Sequence, residues 1–402
     1  MNRVHAFRAS APAVSAPSPR RATRRVPRAA AIACLVAVLA ATGGCAFWRG
    51  SGKRALPELP ATTGGLAVRP AWTVPVGRGG VGFAPTVVGN ALWAASADGS
   101  VVRVDAASGR VLWRVALGRP LSTGVGSDGR TAVVVTREGE AIALDEDGRE
   151  RWRVPVGVDV ATVPSVALDA VLLRGTDNRV VALELETGRR RWVAQRPNPP
   201  LVLRQTAAIA VSPEAAYVGM PGGRLAAIAL DTGTPRWEIA VALPRGTTEI
   251  ERIADVTGSP LVSGREVCAA TYQGRIGCFD VATGAQVWAR PFSTASGIEV
   301  DGRFVFAADA DSAVHAFSRT GASVWKQDRL SRRELSAPLS IGRAVVLGDR
   351  TGLVHFLSRE DGAILARVPT DGSPIVAPPL SAGSNVIVQT RNGNLHAFQA
   401  AE

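Results

Sequence analysis

The 402-residue sequence has no apolar run long enough to cross a membrane as a helix. Its longest such run, Ala29–Ala41 (AAAIACLVAVLAA), has 13 residues, whereas a transmembrane helix needs about 20. Arginines precede the run, and the small residues TGG separate it from Cys45. This order of a basic, an apolar and a small-residue segment is typical of a secretory signal rather than of a membrane-spanning helix.

A basic stripe of the kind that binds nucleic acid is also missing. The formal charge is +12, but residues 1–44 contain seven arginines and no acid. Without that segment, 46 − 7 = 39 basic residues stand against 34 acidic ones, and no block of Lys and Arg elsewhere resembles a nucleic-acid-binding stripe. The basic excess therefore belongs mostly to the signal, and the sequence predicts no nucleic-acid partner.

Patterns for catalysis and metal binding are equally scarce. The chain has four cysteines, no two of them adjacent, and four histidines. It contains no nucleophile elbow, no P-loop, no zinc-type spacing of Cys and His, and no calcium-type cluster of Asp, Glu and Asn. The sequence therefore predicts no catalytic residue, no metal and no cofactor.

One unit is present many times. Tryptophans recur at intervals of 37 to 51 residues, and in six copies a Gly stands four residues before the Trp. The positions are Trp72, Trp113, Trp152, Trp192, Trp237, Trp288 and Trp325. One more copy, LSREDGAILA, has Ala366 in the place of the Trp.

Each unit contains four short apolar or alternating runs separated by Gly, Asn or Asp, as in residues 83–117. This pattern predicts four antiparallel strands, and a period of about 40 residues is that of a propeller blade. The last unit has only three such runs, and RPAWTVPVG near residue 70 supplies the missing outer one. We therefore predict an all-β, eight-bladed β-propeller over residues 70–400, in which the N-terminal strand closes the last blade.

The repeated Trp lies on the predicted outer strand, where its indole can pack on the next blade and donate its N–H. Copies on seven outer strands cannot converge on one ligand at the axis, so a structural role is favoured over a cofactor platform. His315, His355 and His396 also share one repeat position. Equivalent points on packed sheets lie about 10 Å apart, too far for one metal with bonds of about 2 Å, so we expect packing residues.

The segment TGGC resembles the lipobox of bacterial lipoproteins, in which the Cys becomes lipid-modified after cleavage. The resemblance implies a signal over 1–44, a lipid on Cys45 and, because Ala46 follows, attachment to the outer membrane on its periplasmic face. Residues 45–69 are rich in Gly, Pro and small polar residues, which predicts a flexible tether. The alternative is an ordinary cleaved signal in which the Cys has no role.

The repeat motif A-x-D-x-x-T-G-x-x-x-W resembles that of the PQQ-type propellers of quinoprotein alcohol dehydrogenases. One alternative function is therefore a PQQ-dependent dehydrogenase or a degenerate relative. Those enzymes use an adjacent cysteine pair, a calcium site and a catalytic Asp, and this sequence lacks the first two patterns. A further alternative is a periplasmic propeller that binds a ligand in its central channel.

A closer resemblance lies in Pro199–Val211 (PPLVLRQTAAIAV), in Gly246–Pro260 (GTTEIERIADVTGSP) and in the stretch LSRRELSAPLSIGRAVVLGDRTGLVHFLSREDG. These resemble the BamB family, lipoproteins of the outer-membrane β-barrel assembly machinery, over residues from about 66 to the end. The resemblance implies a non-enzymatic scaffold that binds a POTRA domain of BamA and works with the other subunits of that machinery. Unfolded outer-membrane proteins are a further partner in this interpretation.

The two widest intervals between tryptophans, 45 and 51 residues, are consecutive. Both insertions follow an outer strand, so they emerge on one face as a raised patch suited to binding. The resemblance assigns the partner contacts to Leu201, Leu203, Arg204 and Asp255, with Thr257 where the family has a second acid. From the residues alone, packing of the leucines, a solvated Arg204 and a turn cap at Asp255 remain open.

Cys268 and Cys278 flank a predicted hairpin, CAATYQGRIGC. A three-residue loop over 272–274, with Gly274 at the positive-φ position, places the two cysteines opposite each other. A two-residue loop would put them on opposite faces. Because the periplasm is oxidising, we predict a cross-strand disulfide, with two buried free thiols as the alternative.

Overall fold

The computed structural model describes residues 56–80, 82–160, 162–196, 201–203 and 207–400. The predicted signal, Cys45 and the first part of the predicted tether lie outside these ranges. Within them, no helix is both long and apolar enough to cross a membrane.

The described residues form eight four-stranded antiparallel sheets. Blade 1 consists of β2 (Thr86–Val88), β3 (Ala91–Ala95), β4 (Ser100–Asp105) and β5 (Val111–Ala116). Blade 2 consists of β6 (Gly126–Ser127), β7 (Ala132–Val135), β8 (Glu140–Leu144) and β9 (Glu150–Pro155). Blade 3 consists of β10 (Ser165–Ala167), β11 (Ala170–Arg174), β12 (Val180–Glu184) and β13 (Arg190–Ala194). Blade 4 consists of β14 (Ala210–Val211), β15 (Ala215–Met220), β16 (Arg224–Ala229) and β17 (Pro235–Ala240), with a 3-10 turn at Pro221–Gly223.

The second half of the chain repeats this order. Blade 5 consists of β18 (Val256–Ser263), β19 (Glu266–Thr271), β20 (Gly274–Asp280) and β21 (Gln286–Phe292). Blade 6 consists of β22 (Ile298–Val300), β23 (Phe304–Ala308), β24 (Val314–Ser318) and β25 (Ser323–Gln327). Blade 7 consists of β26 (Leu339–Ile341), β27 (Ala344–Gly348), β28 (Leu353–Ser358) and β29 (Ile364–Pro369). Blade 8 consists of β30 (Leu380–Ala382), β31 (Asn385–Gln389), β32 (Asn394–Ala400) and the N-terminal β1 (Val68–Pro75).

The blades close into a ring. The first strand of each blade contacts the first strand of the next, and β30 of blade 8 contacts β2 of blade 1. The strand β1 pairs antiparallel with β32, from Val68 opposite Ala400 to Pro75 opposite Asn394. The predicted eight-bladed propeller and its closure by the N-terminal strand are therefore confirmed.

Antiparallel order gives the propeller two different faces. The connections between blades and the hairpins between second and third strands emerge on one face, which we call the connector face. The hairpins between first and second strands and between third and fourth strands emerge on the other, which we call the turn face. One contact across the connector face is the bond from Val241 N, just after β17, to Gly223 O in the hairpin between β15 and β16.

The apolar core lies between the blades. The second strands β23 and β27 are buried along their whole length, because each blade is covered on both sides by its neighbours. Outer strands are more exposed, as in β25, where Trp325 alone is buried. One apolar cluster joins Leu172 of blade 3 to Ala226 of blade 4, and equivalent clusters recur around the ring.

The repeated tryptophans connect neighbouring blades, as predicted. Trp192 on β13 is 8% exposed, and its indole N–H donates to Leu230 O of blade 4 at 3.0 Å. The ring also covers Gly233, where an added Cβ would lie 2.6 Å from Trp192 Cδ2. Since Gly233 has φ +73°, the glycine gives both a left-handed turn and room for the indole. The same donation is made by Trp72, Trp113, Trp152, Trp237 and Trp325.

Ala366 breaks this pattern for a topological reason. A Trp at that position on β29 would cover the turn between the third and fourth strands of blade 8. Those strands, β32 and β1, come from opposite ends of the chain, so blade 8 has no such turn. Ala366 instead packs in an apolar cluster with Leu66 and Phe398.

Residues 56–66, which we call the strap, lie along β29 of blade 7. The N–H of Thr63 donates to Ile364 O at 2.8 Å, and Arg367 Nη2 donates to Pro60 O at 2.9 Å. Leu59 packs against the cluster shared by blades 6 and 7. The folded unit therefore begins by Leu56, and the predicted boundary at residue 70 lies too far along the chain.

Candidate functional site: two neighbouring connectors

The two predicted insertions are the connections into blades 4 and 5. The first connector is residues 195–209, between β13 and β14, and the second connector is residues 241–255, between β17 and β18. Of the first connector, residues 195–196, 201–203 and 207–209 are described. Both connectors emerge on the connector face beside blade 4.

Asp255 ties the connectors together. It is 1% exposed, and its Oδ2 accepts the backbone N–H of Leu203 in the first connector at 2.6 Å. Its Oδ1 accepts the N–H of Gly222 in the blade 4 hairpin at 2.8 Å. A second hydrogen bond, from Ala208 N to Ser259 Oγ at 2.9 Å, also holds the first connector in place. The resemblance assigns Asp255 to partner contact; in the structure its side chain is buried and accepts hydrogen bonds from Leu203 and Gly222.

A buried cation lies near this carboxylate. Arg174 at the end of β11 is 4% exposed, and its Nη2 donates to Asn178 Oδ1 at 3.1 Å. Burial lowers the pKa of Arg174 to about 10, and the charge of Asp255 acts in the opposite direction. The guanidinium therefore stays charged at neutral pH.

Both connectors expose apolar side chains, and in the second connector these lie among the exposed charged residues Arg245, Glu249, Glu251 and Arg252. Leu201 is 43% exposed, and Leu203 is partly covered. Arg204, the third predicted contact of the first connector, lies outside the described residues. In the second connector, Leu243 is 64% and Ile250 is 69% exposed. Sequence reasoning did not name these two residues, although large apolar side chains in a connector lengthened by insertion are a recognisable signal.

The second connector is shaped by its own polar residues. Glu251 Oε2 accepts the N–H groups of Thr247 and Thr248 at 2.9 and 3.1 Å. Hydrogen bonds from the Thr248 and Thr247 backbone hold the pKa of the Glu251 carboxyl below its ordinary value. Local hydrogen bonds, rather than the burial of side chains, therefore fix the shape of this turn. The turn leaves Ile250 exposed at the surface.

Thr257 does not replace the family acid at the surface. Its side chain is buried, and its hydroxyl donates to Thr294 O at 3.0 Å. Thr257 therefore helps blade 5 to pack against the connection between blades 5 and 6. Gly258 and Gly297 also lie close together there.

The structure joins Cys268 and Cys278 in a disulfide across β19 and β20. Their register also pairs Ala269 with Gly277 and agrees with the predicted hairpin. The predicted positive φ at Gly274 is wrong: Gln273 has φ +49° instead. Gly274 is required for space, because an added Cβ would lie 2.3 Å from Thr271 Oγ1. Glu266 stands near the two sulfur atoms, but the disulfide leaves no thiolate there to bind a metal.

The three histidines are not brought together. His315 Nε2 lies 2.9 Å from Asp309 Oδ2 in blade 6, and His355 Nε2 lies 3.0 Å from Asp349 Oδ2 in blade 7. His396 in blade 8 is 3.9 Å from Asp371. Each histidine thus has its own carboxylate, which agrees with separate structural roles and goes beyond the plain packing that the repeat position predicted.

A cleft on the turn face offers a second concave surface. It lies between blades 3 and 4 and encloses about 710 Å³. Its charged lining is partly paired within the protein, since Arg191 Nη2 lies 2.7 Å from Asp169 Oδ2. At its rim Leu168 has φ +57° and is 58% exposed. The cleft is on the face opposite the connectors and does not belong to their patch.

Comparison with known proteins favours one family. A family model described as "Outer membrane protein assembly factor BamB" matches residues 97–327 and 310–402. The protein of that name from Bordetella pertussis is 46% identical over 366 residues, 90% of this chain and 95% of that one. Its counterpart from Burkholderia pseudomallei is 41% identical over 374 residues, 92% of this chain and 98% of that one.

Solved structures agree with the sequence relatives. BamB from Moraxella catarrhalis superposes with a TM-score of 0.76 at 26% identity, over 83% of this chain and 100% of that one. A quinohemoprotein alcohol dehydrogenase from Comamonas testosteroni has a TM-score of 0.67 at 14% identity, over 83% of this chain and 76% of that one. At that identity the likeness to the dehydrogenase concerns the fold alone.

Proposed function

This chain belongs to the BamB family of outer membrane protein assembly factors, and from this premise we propose that it is a scaffold that binds BamA. The resemblance inferred from the sequence is thereby confirmed. The chain is an assembly factor associated with the outer membrane and not an enzyme, since its close relatives carry that name and the dehydrogenases share only the fold. The identity of 46% over 90% of the chain is the observation that carries the proposal.

The two connectors form the docking surface for a POTRA domain of BamA. Leu201, Leu243 and Ile250 supply exposed apolar area, and Arg204 follows Leu203 directly in the sequence. An apolar centre with a neighbouring Arg has the composition of an interface hot spot. Asp255 holds Leu203 in place, so this part of the surface is positioned before the partner arrives and binding costs less entropy.

The scaffold assists the folding and insertion of outer-membrane proteins together with the other subunits of the machinery. Unfolded strands of those proteins are the second class of partner. Apart from β29, along which the strap lies, the outer strands of the blades expose one edge each, and such edges can accept an added strand.

A lipid on Cys45 would hold the propeller at the periplasmic face of the outer membrane. Replacing Cys45 by Ser should release the protein into the soluble periplasmic fraction or leave it unprocessed. Fractionation of the envelope checks this outcome. A Cys45→Ser protein that still floats with outer membrane would contradict the lipid anchor.

The partner proposal is tested by affinity purification from detergent-solubilised envelope. We expect BamA to co-purify with the wild-type protein and to be largely lost with Leu201→Asp, since a charge would enter an apolar contact. The matched control is Leu168→Asp, which changes an exposed leucine on the turn face. Equal recovery of BamA with both folded variants would exclude the first connector as the docking site.

A further inference from the structure

The strap crosses the propeller from one face to the other. Arg333, in the connection between β25 and β26, donates to Pro57 O at 3.3 Å on the connector face. Arg343, in the turn between β26 and β27, donates to Gly65 O on the turn face. The strap therefore runs antiparallel to β29, and its N-terminal end lies on the connector face.

The strap lies in a site that offers it apolar clusters and positively charged hydrogen-bond donors. Leu59 packs in the cluster of blades 6 and 7, and Leu66 packs in the cluster of blades 7 and 8. Leu66 shares its cluster with Ala366, the repeat position that carries Trp in other blades. The missing Trp thus leaves room that the strap fills.

Arg333, which donates a hydrogen bond to the strap, is itself held in place by a carboxylate. Arg333 is 5% exposed, and its Nη1 lies 3.0 Å from Asp349 Oδ2. The same carboxylate oxygen lies 3.0 Å from His355 Nε2. A buried guanidinium held on one side by a carboxylate can direct its second amino group only toward the strap, so Pro57 has a defined position.

We propose that the strap is a built-in docking segment that fixes where the chain leaves the propeller toward the membrane, beside Arg333, and that the connector face is therefore the face nearer the bilayer. The second part rests on the lipid attachment at Cys45 proposed above. Cys45 and Leu56 are eleven residues apart, so the chain between them spans at most about 40 Å. The described chain therefore begins on the same face as the docking connectors.

Docking of the strap is tested in the soluble, unlipidated protein by hydrogen exchange. The variant Leu59→Asp removes an apolar contact of the strap without changing any residue of the blades, and Glu58→Asp is the matched control because Glu58 is exposed. We expect the Thr63 amide to exchange at least tenfold faster in Leu59→Asp and at the wild-type rate in Glu58→Asp. The variant Ala366→Trp should release the strap in the same way by displacing Leu66. Wild-type exchange in both Leu59→Asp and Ala366→Trp would overturn the docking.

Orientation is tested with the lipidated protein in phospholipid vesicles whose headgroups carry a spin-label quencher. A fluorophore is attached at Asn392→Cys, in the hairpin between β31 and β32 on the connector face, or at Glu360→Cys, between β28 and β29 on the turn face. We expect at least threefold stronger quenching at position 392, and loss of that difference when Leu59→Asp is added. Equal quenching, or stronger quenching at 360, would overturn the proposed orientation. A protein that does not float with the vesicles would instead count against the lipid anchor, which distinguishes the two failures.

Discussion

A single side chain, the repeated tryptophan, carries much of the contact between neighbouring blades. Trp192 covers the turn at Gly233 and donates its N–H to Leu230 O. It therefore contributes both apolar burial and a satisfied hydrogen bond to the interface of blades 3 and 4. Trp288 differs, because its indole N–H has no hydrogen-bond partner among the residues that the structure describes.

Replacing Trp192 by Ala should lower the free energy of unfolding by about 3–5 kcal/mol, the usual cost of removing a buried Trp. Denaturant titration measures this loss. The neighbouring Val193 is 43% exposed, so Val193→Ala should cost only about 0.5 kcal/mol. Similar small losses for both variants would show that Trp192 does not hold the blades together.

A second residue-scale prediction concerns Glu299 on β22. Burial raises the pKa of this carboxyl to about 7, the nearby Asp301 acts in the same direction, and the N–H of Ser340 opposes them. A carboxyl whose pKa is raised in the folded state contributes to the stability of the fold. This contribution is fully present below the ordinary pKa of 4.5 and is lost as the pH rises to about 7. Glu299→Gln removes the titration, so at pH 8 it should be more stable than the wild type by roughly 1–3 kcal/mol.

Thermal melts between pH 5 and pH 8 measure the Glu299 effect. The difference between Glu299→Gln and the wild type should grow as the pH rises, while the exposed Glu249→Gln should follow the wild type throughout. Parallel profiles for Glu299→Gln and the wild type would mean that Glu299 does not titrate in this range.

At the scale of structural elements, the buried carboxylate of Asp255 holds the two connectors together. In the proposed docking, the partner does not contact this carboxylate. Asp255→Asn should lower the melting temperature, because an amide cannot accept from both Leu203 N and Gly222 N. An unpaired buried donor costs about 1–3 kcal/mol, and Arg174 would lose its nearby negative charge. The variant should also weaken BamA binding through disorder of the first connector.

The control for Asp255 is Asp231→Asn, which changes an exposed acid on the turn face. It should leave both stability and binding unchanged. Leu201→Asp should weaken binding while keeping the wild-type melting temperature. If Asp255→Asn weakened binding without any loss of stability, Asp255 would be a contact residue after all.

The sequence predicts repeating features well and single long-range contacts poorly. The eight blades, the closing strand β1 and the blade-to-blade role of Trp192 follow from a period of about 40 residues. The strap does not follow, because Leu59 and Pro60 belong to no repeat and their partners lie some 300 residues away. The burial of Asp255 is likewise invisible in the sequence, since it depends on the approach of Leu203 from another connector.

At the scale of the whole molecule, both insertions, the buried Asp255 and the N-terminal end of the strap lie on the connector face. The turn face carries the cleft between blades 3 and 4 instead. A propeller with one specialised face can bind a partner there while its outer strands stay accessible around the rim. This division is the physical basis for the proposed scaffold role.

The most direct test measures the dissociation constant between the soluble propeller and the periplasmic region of BamA. Arg204→Glu reverses the charge next to Leu203 and should weaken binding about thirtyfold, since a hot-spot residue contributes about 2 kcal/mol or more. Arg130→Glu, in the exposed hairpin between β6 and β7 on the turn face, should bind as the wild type does. Equal affinities for the two folded variants would contradict docking through the connectors.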